Sequence, residues 1–296
     1  MPRPCSASVT KGAFLILSFH PVIEADHNII CAGRAPGYND LAAIRAARAV
    51  ILPQGCSEAL YRMACANCAH VFPNMNVRFA FPGKLGQIRL FRTLGVPHPP
   101  ARIFESVADF HQSGEAVDFP VVLKWDWGGE GETVFKIDSP EAMAQILART
   151  ATCERSGQRG FLLQSYIPSG GKALRVTQVG NRRIAYWRVQ DDTRRFGSAL
   201  KQGARIDFDI SAHLRTAAGA VVSDLIARTG LQLAGFDFIF ERHALAAGRS
   251  EPLMLEINYF FGRRGLGGSE RYYTMLTAEV DAWLAERGLT RHAGSG

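Results

Sequence analysis

The sequence predicts an α/β fold, opened by a small parallel β/α segment and continued by strands and helices in mixed order. Three observations carry this. Short apolar runs alternate with helix-patterned stretches up to about residue 80, as in a parallel sheet. Further on, strand-like runs flank glycine turns, as at Gly180–Asn181, and read as hairpins. Apolar residues make up 47% of the 296, enough for a sizeable core and against global disorder. A chain of this length holds one large domain or two to three modest ones.

In chain order, "AFLILSF" (13–19) is a short apolar run of the buried-strand type. "DLAAIRAARA" (40–49) is helical and "AVILPQG" (49–55) is a second buried strand. "SEALYRMACANC" (57–68) is a helix with Ser57 as cap, and "HVFPN" (70–74) is a third strand. "KLGQIRLFRTLG" (84–95) is an amphipathic helix closed by Gly95 and stopped by Pro97, Pro99 and Pro100. Strand "ARIF", helix "SVADFHQSG" and strand "FPVVLKWD" follow, then "GGEGETVFKI", helix "SPEAMAQILART" and strand "FLLQSYI" (161–167). "ALRVTQVG" and "RRIAYWRV" form the hairpin. Helix 211–230 runs from Ser211 to Gly230. Strands "LAGFDFIFE" and "PLMLEIN" are joined by a polar loop, "RHALAAGRSE", and 269–288 is a closing amphipathic helix. No internal repeat is evident, and only the final "HAGSG" is low in complexity.

Formal charge is +7 and the pI is near 9.3, which favours anionic partners. The basic residues are scattered rather than striped, so nucleic acid is a secondary reading. Six cysteines in a chain this long suit a reducing compartment rather than a disulfide framework. Cys65 and Cys68 form C-x-x-C near Cys56 and His70; four zinc ligands are available there, and small buried thiols explain them equally well. No apolar run reaches the ~18 residues of a membrane span. "MPRPCSASVTKGAFLILSF" is read as leading into a strand rather than as a signal peptide, so a cytoplasmic location is expected.

Asp237 interrupts an apolar strand, and Glu256 and Asn258 lie two apart in the next one, on one face. A buried carboxylate needs a partner or a metal. Two carboxylates and an amide oxygen suit Mg²⁺, which leaves room for substrate phosphates. The alternative is that each carboxylate pairs with an arginine or sits at a strand end in water. The apolar neighbours Leu255 and Ile257 are expected to face the core. Lys124 ends an apolar strand, four residues before "GGEG" (128–131). Such a loop can cradle phosphate oxygens with its N–H groups, beside a lysine's point charge; a plain hairpin turn also uses glycines.

These pieces, in this order, resemble the ATP-grasp superfamily, and among it the RimK-type carboxylate–amine ligases. The resemblance spans about residues 80–285 and is carried by "GKLGQIRLFRTLGVPHP", "FPVVLKWDWGGEGETV", "LLQSYI", "LRVTQVGNRRIAYWRV", "GFDFIF" and "LEINYFFGRRG". It implies an N-terminal β/α pre-ATP-grasp domain (1–80) and an ATP-grasp domain (81–290), whose small lobe (about 100–170) and C-terminal lobe (about 171–290) are α+β lobes clasping ATP. It implies that Lys84 and Lys124 contact ATP phosphates under a closing loop with Gly128, Gly129 and Gly131. Gln164, Ser165, Tyr166 and Ile167 match the strand exit whose backbone reads adenine. Asp237, Glu256 and Asn258 match magnesium ligands, with Glu256 bridging two ions; Mn²⁺ is a substitute. Arg175 and Arg188 match arginines facing the transferred phosphate and the acyl intermediate.

The implied reaction joins a small-molecule or peptide carboxylate to an amine through an acyl phosphate, with no membrane partner and with a homo-oligomer left open. His20, His27 and Arg34, in the loop "SFHPVIEADHNIICAGR", read either as substrate contacts or as ordinary loop residues. Arg263 or Arg264 is placed to hold a carboxylate. "YWRV" is read as core packing rather than base stacking. Three positions depart from the family pattern: Ser165 replaces an acidic residue, Ala173 an aspartate and Ala199 an asparagine. They keep open an ATP-binding regulatory or scaffold protein without ligation, and a kinase that phosphorylates and stops.

Overall fold

A computed structural model describes residues 16–31, 33–129, 131–248 and 251–291. The chain divides into two compact units. One draws on the chain up to Met75 and from Gly267 onward; the other is Asn76–Leu266.

In the first unit, β1 (Ile16–Ser18), β2 (His27–Asn28), β3 (Ala49–Ile51) and β4 (His70–Phe72) form a parallel sheet in the order β2-β1-β3-β4. Helix α1 (Tyr38–Ala46) leads into β3 and α2 (Glu58–Asn67) into β4. β1 and β3 are buried along their length, which is why they read as unbroken apolar runs. Residues 13–15 of the expected first strand lie outside the described residues, as does the final "HAGSG". Ser57 caps α2 as expected, its hydroxyl accepting from Leu60 N at 3.3 Å. The closing helix, Ser269–Ala285, groups with this unit, and Trp283 packs on Phe72 with ring centroids 5.5 Å apart. The sequence alone places that helix with 81–290. Its amphipathic stripe shows that it packs on something, but not on which sheet.

The second unit starts with α3 (Asn76–Ala80) and α4 (Gly83–Leu94). Its first sheet has the order β5-β8-β6-β7, from β5 (Ala101–Phe104), β6 (Val121–Trp125), β7 (Val134–Ile137) and β8 (Phe161–Ser165). α5 (Val107–Ser113) and α6 (Pro140–Arg155) accompany it. Phe104, Leu123, Trp125, Phe161 and Leu163 pack with Met143 and Leu147 of α6 on one face. By the two-residue period the opposite face carries Lys124 and Gln164.

The second sheet is antiparallel, in the order β11-β10-β9-β12-β13, from β9 (Lys172–Val179), β10 (Arg182–Val189), β11 (Arg205–Asp207), β12 (Leu233–Ile239) and β13 (Leu253–Asn258). β9 and β10 pair as the expected hairpin around Gly180–Asn181. One face buries Leu174, Val176, Trp187, Phe236 and Phe238 in a cluster with Leu214, Val222 and Leu225 of α7 (Ala212–Thr229). Ser211 stands at the α7 N-cap, but its side chain makes no capping bond. The loop between β12 and β13 contains a short helix, α8 (Arg242–Ala246), capped by the Glu241 carboxylate.

β13 corrects one expectation. Asp237 pairs with Glu256, but the next residue, Phe238, pairs with Met254, so Leu255 is the extra residue of a bulge. Ile257 faces the core as expected. Met254 rather than Leu255 joins it there, because the bulge breaks the two-residue alternation.

Candidate active site

The register of the second sheet builds the site. Tyr186, Arg175, Asp237 and Glu256 stand side by side across β10, β9, β12 and β13. The next rung is Ile184, Thr177, Gly235 and Asn258. Opposed residues share a face, so Glu256 and Asn258 point with Asp237, away from the α7 core. Arg188 lies two residues beyond Tyr186, on the same face.

Asp237 is the buried centre. Its Oδ1 accepts from Arg175 Nε at 2.5 Å. Its Oδ2 accepts from an Arg175 terminal nitrogen at 2.8 Å, from Arg188 at 2.5 Å and from Asn258 Nδ2 at 3.1 Å. The arginine-paired alternative is therefore realised for this carboxylate. Burial alone would raise its pKa, but the charges of Arg175 and Arg188 outweigh that and hold it well below the usual carboxylate range. Burial likewise opposes the charge on Arg175, and Asp237 reverses the sign, raising its pKa. Arg175 packs over Gly235, where a Cβ would come within 2.7 Å of its guanidinium. Arg175 is thus committed beneath the carboxylate, with its side chain 5% exposed. Arg188 is 17% exposed and keeps a buried Nε with no partner among the described residues. Of the two arginines assigned to the transferred phosphate, Arg188 is the more exposed.

Glu256 differs from Asp237. It makes no hydrogen bond among the described residues and lies within electrostatic reach of both Lys84 and Lys124. Lys84 Nζ donates to Trp127 O and Gly128 O, each at 3.0 Å, and to Thr133 Oγ1 at 3.4 Å. Lys124 is 7% exposed. Its pKa is pushed down to about 8, first by burial and also by Lys84, with Glu256 and Asp237 opposing. Four cationic side chains against two carboxylates leave a positive excess suited to a polyphosphate.

A pH dependence follows. Below about pH 8 Lys124 is charged in both folded and unfolded chains. Above it, the folded chain sheds a proton that the unfolded chain keeps up to 10.5, so this group alone adds stability as pH rises across that window. The charge available to an anion disappears over the same window. Affinity for a nucleotide triphosphate, measured by titration calorimetry, should weaken by up to about tenfold from about pH 7 to about pH 9, and Lys124→Arg should flatten the profile.

Among the loop glycines, Gly128 and Gly131 adopt left-handed backbone, with φ of 75° and 85°. A Cβ on Gly128 would lie 2.5 Å from Thr133, whereas Gly129 faces open space. At the strand exit Gln164 is 2% exposed, and its Nε2 has no partner among the described residues. Ser165 is exposed and donates its N–H to Pro100 O at 2.8 Å. Tyr166 is half-buried with Lys136 over its ring at 4.9 Å, and Ile167 is half-buried. Ala173 pairs opposite Arg188, and Ala199 precedes a short 3₁₀ turn at Leu200–Gln202.

His20, His27 and Arg34 belong to the first unit. His20 Nδ1 accepts from Val22 N and Ile23 N at 3.1 Å, and Arg34 is bidentate on Asp40 at 2.6 Å, so both shape their own loop. His27 is exposed in β2. Arg263 is half-buried beyond β13, and its carbonyl accepts from Leu266 N at 2.9 Å. No group of three or more His, Cys, Asp or Glu among the described residues is arranged to hold a metal. Cys68 Sγ meets the carbonyls of Ala47 and His70 at 3.5 Å instead.

Sequence reasoning missed Tyr186 and Gly235. Trp187 does pack in the core, but its neighbour Tyr186 is buried on the site face, so close to Gly265 that a Cβ there would come within 2.1 Å of its ring. The available signal was Tyr186's two-residue spacing from Arg188.

Residues 83–275 match the family model of the RimK-like ATP-grasp domain. No curated protein matches by sequence. An N5-carboxyaminoimidazole ribonucleotide synthetase solved as its ADP complex superimposes with a TM-score of 0.56 at 11% identity, over 80% of this chain and 60% of that one. A RimK domain ATP-grasp protein from Sphaerobacter thermophilus gives 0.57 at 14% identity, over 90% of this chain and 98% of that one. D-alanine–D-alanine ligase from Bacillus anthracis gives 0.58 at 10% identity, over 88% and 84%. The shared property at these identities is the ATP-grasp fold.

Proposed function

Because the chain belongs to the RimK-like ATP-grasp family, a family of ATP-dependent ligases, we propose that it joins a carboxylate to an amine at the expense of ATP and Mg²⁺, through an acyl phosphate. The observation that carries this is Glu256: a carboxylate without a hydrogen bond among the described residues, within electrostatic reach of two lysines and beside the Asp237–arginine cluster. The donor set fits Mg²⁺. Among the described residues Glu256 makes no hydrogen bond, Asn258 directs its nitrogen to Asp237 and so keeps its oxygen, and Asp237 Oδ1 accepts a single bond. Bound there with nucleotide phosphates, the ion would neutralise charge on the transferred phosphoryl group.

The chain's own residues supply the rest. Lys84 and Lys124 hold phosphate oxygens, and Gly128, Gly129 and Gly131 cover them. Arg188 faces the moving phosphoryl group, while Arg175 fixes Asp237 from below. The substrate carboxylate oxygen attacks the γ-phosphorus and ADP leaves; the amine then attacks the acyl carbon, phosphate leaves, and the amine gives up a proton. Water must be excluded while the acyl phosphate exists. Cys31, Cys56, Cys65, Cys68 and Cys153 are thiols outside any disulfide, which suits a reducing, cytoplasmic setting. No helix among the described residues is long and apolar enough to cross a membrane.

The enclosure of Asp237 by two arginines, with the departures at Ser165, Ala173 and Ala199, favours a second reading, an ATP-binding protein without ligation. One experiment separates them: ADP release from Mg-ATP against a panel of carboxylic acids, each with and without amines. Acid-dependent release coupled to an amide product supports the ligase. Release with a stable phosphorylated product indicates a kinase. Measured Mg-ATP binding with no release across the panel favours the binding protein.

A further inference from the structure

Asp126 lies between the Lys124 strand and the glycine loop, and has no role in the chemistry above. Helix α4 begins at Gly83, behind Pro82, which offers no capping side chain. The first N–H groups of a helix have no intrahelical acceptor. Residue 126 supplies them: its Oδ1 accepts from Leu85 N at 2.8 Å, and its carbonyl accepts from Lys84 N at 3.5 Å. The fit is close. Gly83 has φ of 69°, and a Cβ there would lie 2.3 Å from Asp126 Oδ1. Only glycine permits both the backbone and the approach. The carboxylate also meets the positive end of the helix, where negative charge is favoured.

Lys84 rises from this turn and reaches back, Nζ donating to the carbonyls of Trp127 and Gly128 at 3.0 Å. Backbone and ammonium of Lys84 are therefore both held by the segment 126–128, which directly follows β6, the strand of Lys124. We propose that Asp126 is a positioning residue for the lysine pair: it ties the start of α4 to the end of β6, so that Lys84 and Lys124 meet one anion together. Its carboxylate also occupies the helix end that would otherwise attract the phosphate, leaving the phosphate to the lysines. The proposal rests on the ATP reading above.

The test combines Mg-ATP titration calorimetry with amide hydrogen exchange on the nucleotide-free chain. Asp126→Asn keeps the acceptor and should bind within about threefold of the unmutated chain, whereas Asp126→Ala should bind about tenfold more weakly. The loss should vanish in a Lys84→Ala background, where Asp126→Ala has nothing left to position. Without nucleotide, Asp126→Ala should speed exchange at residues 83–86 and 127–133, and Asp126→Asn should not. Gly83→Ala, which displaces the carboxylate, should copy Asp126→Ala and not add to it; it serves if Asp126→Ala does not fold. Unchanged affinity in Asp126→Ala, full additivity with Lys84→Ala, or unchanged exchange at 83–86 would each overturn the proposal alone. An unmutated chain that binds no Mg-ATP would overturn the nucleotide reading and this proposal with it.

Discussion

Glu256→Gln should lower ADP release from Mg-ATP by at least about a thousandfold while moving the melting temperature by only a few degrees. The two effects separate because of how Glu256 is held. It is half-buried at the end of β13 and makes no hydrogen bond among the described residues, so a near-isosteric amide breaks none. Its charge is what matters: it faces Lys84 and Lys124 and supplies the carboxylate that Mg²⁺ requires. ADP release at saturating Mg-ATP, with calorimetric melting as the control, decides it. Release near the unmutated rate would remove Glu256 from the metal site, and with it the observation on which the ligase reading stands.

Asp237→Ala should instead cost stability, about 3–5 kcal/mol in urea denaturation. Asp237 is buried and accepts from Arg175, Arg188 and Asn258, so its removal strands two guanidinium groups in the interior. Against a typical total of about 5–15 kcal/mol, that is a large fraction. Asp237→Asn should fall between, retaining an acceptor without the charge. A residue that served only as a metal ligand would lose activity and keep its unfolding midpoint. That outcome would show that the arginines do not depend on Asp237.

No local pattern in the sequence separates the roles of the two carboxylates. Each interrupts an apolar strand, and each could have bound a metal or an arginine. The fold separates them by register: Arg175 is directly opposite Asp237, and Arg188 reaches it from β10, while Glu256 stands at the sheet's outer strand and faces the lysines. Leu255 shows the same limit at smaller scale. Alternation put it in the core, and a single bulge gave that place to Met254.

What the sequence determined by itself is what depends on local order and periodicity. The hairpin at Gly180–Asn181, the Ser57 cap and the shared face of Glu256 and Asn258 follow from spacing along one strand or helix, and the order of motifs identified the family. The tertiary structure alone decided what depends on contacts distant in the chain. Asp126 caps a helix that begins 43 residues before it, Arg175 finds Asp237 at a separation of 62, and the closing helix joins the first sheet. Spacing tells a side chain which way it faces, but the partner it meets there is set by strand register and chain return, which no local pattern encodes.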